Sequence, residues 1–154
     1  MSDWERATKE VLFESLPPEM VSIINRYIEQ YNLGSILSDA LMCIQTDSEK
    51  AKKGLFGGSE IIRMGIIVTP RWLVWAVTGT KVQTAVLSAQ LRNVTVQDYA
   101  QTPFAKMVPD SGIEVNGIFT NASESTSGFI GLDEGIASQK FKEVVIRAAQ
   151  DAKK

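Results

Sequence analysis

Residues 60–77 read EIIRMGIIVTPRWLVWAV, two apolar runs parted by one Thr-Pro pair. Branched and aromatic residues dominate both runs, and Pro70 would break a helix at its centre, so the pattern predicts two strands joined by a tight turn. Pro70 suits the first central position of that turn, and Thr69 before it is pushed towards extended geometry. In the second strand Arg71, Leu73, Trp75 and Val77 share one face, while Trp72, Val74 and Ala76 share the other. Both faces are largely apolar. One must therefore meet a core, and the other must be covered by a helix or a second chain.

The rest of the chain is read outward from that hairpin. Before it, Ser2-Asp3-Trp4-Glu5 has capping-box spacing, and Trp4, Ala7, Val11 and Leu12 recur at helical intervals. Pro17-Pro18 ends that segment and opens a second helix over 19–32. Its stripe is Met20, Ile24, Tyr27, Ile28 and Tyr31, and Asn32 or Gly34 closes it in the left-handed region. Residues 36–46 read as the first strand and 47–59 as a charged, glycine-containing loop. After the hairpin come strands over 82–89, 91–99, 113–120 and 128–132, with 100–112 and 121–127 as connections. A final helix, capped by Asp133, carries Ala137, Phe141, Val144, Val145, Ala148 and Ala152 on one stripe.

Length and composition bound the function. A chain of 154 residues fits one domain able to bury roughly 70% of its unfolded surface. With 44% hydrophobic residues, 22% charged residues and net charge −2, nothing draws it globally to nucleic acid or anionic membrane. The absence of histidine removes the commonest general base, the Ser-His and Cys-His pairs and most zinc sites. One cysteine, Cys43, can make no internal disulfide and reads as a small buried hydrophobe. No signal peptide or long apolar segment is visible, which predicts a cytoplasmic chain. Gly57-Gly58 lacks the Lys-Ser/Thr of a phosphate loop. The Asn-X-Ser/Thr patterns at Asn93 and Asn121 are coincidental in a cytoplasmic chain.

Seven short antiparallel strands closed by a C-terminal amphipathic helix imply an α+β fold: a strongly bent sheet or partly open barrel plugged at one end. Ile66-Ile67-Val68-Thr69-Pro70-Arg71-Trp72-Leu73, followed by Leu91-Arg92-Asn93-Val94-Thr95-Val96, resembles the bacterial pleckstrin-homology-like domains. The resemblance implies a PH-like barrel domain over 35–154, and 1–34 is then an N-terminal extension of two helices. It also implies a non-enzymatic binding or assembly module without cofactor or metal. Such a module would work by self-association or protein contact through the spare sheet face or the N-terminal helices.

The alternative is an anionic ligand or phospholipid headgroup. In the eukaryotic relatives, basic residues of the first strands hold inositol phosphates, and the matching positions are Lys50, Lys52, Lys53, Arg63 and Arg71, with Lys81 beside them. The chain departs from that pattern, having Ile61-Ile62-Arg63 where paired basic residues are expected. Asp47, Glu49 and Glu60 dilute the local charge. An enzyme of unidentified type is the third reading, and no acid pair supports it.

Overall fold

The computed structural model describes residues 3–51 and 58–154. In chain order its elements are β1 (Glu5–Glu10), α1 (Pro18–Gln30), β2 (Met42–Ala51), β3 (Ser59–Val68), β4 (Trp72–Gly79), β5 (Ala85–Gln90), β6 (Val94–Asp98), β7 (Gly112–Gly117), β8 (Thr126–Gly131) and α2 (Ile136–Asp151). Strands β1 to β5 form one antiparallel sheet in sequence order, and β6 to β8 form a second.

The hairpin of β3 and β4 is the spine of the larger sheet. Ile66 lies opposite Trp75, Ile67 opposite Val74 and Val68 opposite Leu73. Thr69 makes the turn: its N–H donates to the Trp72 carbonyl at 2.9 Å, and its Oγ1 accepts from the Arg71 and Trp72 N–H groups. Alternation then sorts the side chains. Ile66, Val68, Leu73 and Trp75 point inward to Val94, Val115 and Ile130 of the second sheet and to Phe141 and Val145 of α2. Ile67 and Ala76 point outward, beneath Leu16, Met20 and Ile24. Ile66, Ile67, Val68, Leu73 and Val74 have no exposed surface, and burying each contributes about 1.5–3 kcal/mol.

The outer face is thus covered from within the same chain, by α1. Gly65 permits the close approach, because a Cβ there would press on the Leu16 and Met20 side chains at 3.0 to 3.2 Å. Asn32, at φ 54°, ends α1 in a Schellman arrangement: Leu33 N–H bonds the Ile28 carbonyl and Asn32 N–H the Glu29 carbonyl.

Several expectations are corrected. The fold is α+β, but the expected single seven-stranded bent sheet or partly open barrel does not form among the described residues. Eight strands divide there into separate sheets of five and three, and one N-terminal helix replaces two. The segment expected to be the first helix is β1, paired along its length with β2 from Glu5 opposite Glu49 to Glu10 opposite Ile44. Its inward residues are Arg6 and Thr8, so a period of two is present but invisible to a hydrophobicity pattern. Ser2 of the supposed capping box lies outside the described residues. Residues 36–39 form a short 3-10 turn, and β2 starts later and runs on into the expected charged loop. Thr46 and Ser48, both buried, face inward there, and backbone partners on both sides hold the strand extended. Residues 91–93 likewise form a 3-10 turn ahead of β6. The N-cap of α2 is Gly135 rather than Asp133, whose carboxylate instead receives the Gly135 N–H and the Ser138 hydroxyl.

β1 closes one seam between the sheets by polar contacts. The Arg6 guanidinium donates to both Asp110 carboxylate oxygens, at 2.7 and 3.3 Å, and to Ser48 Oγ at 2.7 Å. Its Cζ lies 5.4 Å from the Trp4 ring centre and 5.7 Å from that of Phe129. It packs directly on Gly131, where any side chain would occupy its place. One turn on, Thr8 N–H donates to Asp133 Oδ2 at 2.8 Å, and Asp133 N–H returns a bond to Thr8 Oγ1 at 3.1 Å. Lys140 reaches Glu10 at 2.8 Å.

Candidate functional site

The expected basic site does not form as one cluster. Lys50 and Arg63 lie on opposite faces of the larger sheet, since Lys50 pairs with Glu60 and Arg63 with Asp47 three positions away. Lys50 Nζ sits 5.8 Å from the Trp4 ring centre. Arg63 faces Asp47 at 3.9 Å with both side chains about half exposed, a contact of small net value. Lys81 is exposed in the β4–β5 loop, which is tied to the same end of the sheet by Thr80 N–H on the Ile61 carbonyl. Lys52 and Lys53 lie outside the described residues. Arg71 is at the far end, in the β3–β4 turn; the length of β3 separates it from Lys50 and Lys81 by on the order of 30 Å. Backbone geometry there brings it a different neighbour. Leu91 N–H bonds the Arg71 carbonyl at 2.8 Å, so Arg92, 21 positions along the chain, lines the same groove.

A second feature was not anticipated from the sequence. The two ends of the space between the sheets differ. At one end α2 packs against β1, β2, β3 and β6. At the other, the described residues of β3, β4, β5 and β8 line an apolar mouth of about 420 Å³. It is lined by Ile62, Met64, Trp75, Val77, Leu87, Phe119 and residues 126–129 of β8, with the Phe119 ring lying against Gly128. Trp75 and Phe119 meet edge to face at 5.4 Å, which stiffens the lining. Leu87 is 38% exposed and stands on the rim, whereas the Phe129 ring packs on Tyr99 at 4.9 Å and lies beside Arg6. Periodicity alone does place Trp75 and Val77 on the inward face.

The remaining reactive groups are committed to structure. Cys43 is buried beneath α1, and burial, with Glu14 adding a little, pushes its thiol up to about 12, which keeps it protonated. Burial pushes the Asp133 carboxyl up, but hydrogen bonds from Ser138, Thr8 and Gly135 outweigh it and leave the group below its ordinary value. A groove of about 730 Å³ beside Arg6 contains Lys106, Asp110, Asp133 and Glu134, and Arg6, Asp110 and Asp133 are spent on the seam between the sheets. Among the described residues no group of three or more His, Cys, Asp or Glu side chains could hold a metal ion. No helix among them is long and apolar enough to cross a membrane.

No protein-family model, curated protein or solved structure matches this chain.

Proposed function

We propose that this chain is a non-enzymatic binding module whose partner is an extended, apolar segment of another protein, added as a strand beside β8 with alternate side chains in the mouth. The observation that supports this is the pairing of an unguarded strand edge with an apolar groove. β8, TSGFIG, is the outer strand of its sheet and has neither charge nor proline to repel a further strand. Main-chain bonds along such an edge give affinity, and pockets for every second residue give selectivity. At about 420 Å³ the mouth is large enough for one or two apolar side chains.

Peptides selected from a displayed library on the intact protein, with L87D as counter-selection, test the reading. The selected sequences should alternate apolar with polar residues, and their binding should shift the amide resonances of 126–129. Enriched peptides that bind L87D equally well would remove the mouth from the account. Sedimentation of the protein alone identifies a second copy as the occupant if a dimer forms and L87D abolishes it.

A further inference from the structure

The groove at the β3–β4 turn has the chemistry of an oxyanion site. It measures about 690 Å³ and lies between that turn, the end of β5 and the last turn of α2. Arg71 and Arg92 both line it and both are exposed. Unlike Arg6 and Arg63, neither guanidinium makes an ion pair or hydrogen bond among the described residues. The other charges are accounted for. Asp151 on the groove wall is paired with Lys154 at 3.1 Å. Lys153 spends its ammonium on the carbonyls of Leu91, Val94 and Ala149, at 2.9, 2.6 and 3.0 Å, which pins α2 to the chain segment carrying Arg92. Gln90 adds a polar side chain to the lining.

We infer that Arg71 and Arg92 together bind a phosphate monoester. Two uncompensated guanidiniums facing one groove match a dianion, whereas a single carboxylate would leave one of them unmet. Their planar forks also donate in pairs to phosphate oxygens. A phosphomonoester carries close to two negative charges at neutral pH and three acceptor oxygens. The site shares no lining residue with the mouth and does not depend on it.

Titration calorimetry with three probes tests it: inorganic phosphate, glycerol 3-phosphate, and phosphatidylcholine vesicles containing phosphatidic acid. The expected result is saturable, salt-sensitive binding that R71Q and R92Q each weaken about tenfold, with R63Q and K81Q unchanged. Both arginines are exposed, so the variants keep the fold, and an unaltered melting temperature verifies this. Binding of glycerol 3-phosphate as tight as that of the vesicles assigns the site to a soluble ester; binding to the vesicles alone assigns it to a lipid headgroup. No saturable binding of any probe, or binding by R71Q and R92Q equal to that of the parent, overturns the assignment.

Discussion

The two outer strands β1 and β8 solve the same problem in opposite ways. Each ends a sheet and leaves one row of backbone groups without a strand beside it. β1, ERATKE, is studded with charge: Glu5, Lys9 and Glu10 face solvent, and Arg6 and Thr8 turn inward to bind Asp110, Ser48 and Asp133. That edge repels a further strand and is fastened to the rest of the molecule. β8, TSGFIG, carries no charge, and its first four residues border the apolar mouth. One edge is sealed, and the other has no strand beside it among the described residues. The difference teaches that the open edge is not a general looseness of the fold, since the same chain seals the seam a few residues further along, at Gly131 and Asp133.

Breaking the sealed edge should have the largest effect. Arg6→Met removes a guanidinium whose side chain is 8% exposed and leaves Asp110, 13% exposed, without its partner. The expected loss is about 3–5 kcal/mol in a urea unfolding curve, as for other buried pairs deprived of one member. A loss below about 1 kcal/mol would mean that the β1 seam contributes little and that hydrophobic burial alone holds the sheets together.

A smaller effect is expected from acid. Asp133 has its folded pKa below the unfolded value, so its bonds to Thr8, Gly135 and Ser138 contribute fully above the ordinary carboxylate pKa of about 4. That contribution fades as pH falls through the lower folded value. The D133N variant should therefore show a flatter loss of stability than the parent as pH falls below about 4. Identical acid limbs in the two proteins would show that the β1 clasp does not depend on this carboxylate.

The smallest effect on stability should come from giving β8 the defence that β1 has. Ser127 is exposed, so Ser127→Lys should change unfolding free energy by no more than about 0.5 kcal/mol. It should nevertheless abolish peptide binding, because a charge on the edge opposes strand addition. Peptide affinity equal to the parent's would show that the partner uses the mouth without the strand edge.

How much of this was legible in the sequence follows from the same contrast. The 60–77 hairpin was readable because Ile66 to Val68 and Leu73 to Ala76 are apolar on both faces, and the need for a cover on the second face was correct, with α1 supplying it. Strand β1 was not readable, because the residues it buries are an arginine and a threonine whose partners lie 38 to 125 positions away. The helical spacing of Trp4, Ala7 and Val11 was accidental. The continuation of β2 past Thr46 was hidden for the same reason, since its inward side chains are hydroxyls. Among the binding candidates, matching positions to the eukaryotic relatives joined Lys50 to Arg71 although β3 separates them. It missed Arg92, which only the Arg71–Leu91 backbone bond makes a neighbour. Charge read along the chain carries no information about register.

The central claim is that β8 is an open edge awaiting a strand. Hydrogen exchange on amides 126–129, compared between the free protein and its complex with a selected peptide, tests it most directly. The account predicts that the amides not bonded to β7 exchange rapidly in the free protein and become strongly protected in the complex, while those of β1 do not change. Protection that appears at β1 or under α1, with the β8 amides unaltered, would contradict it.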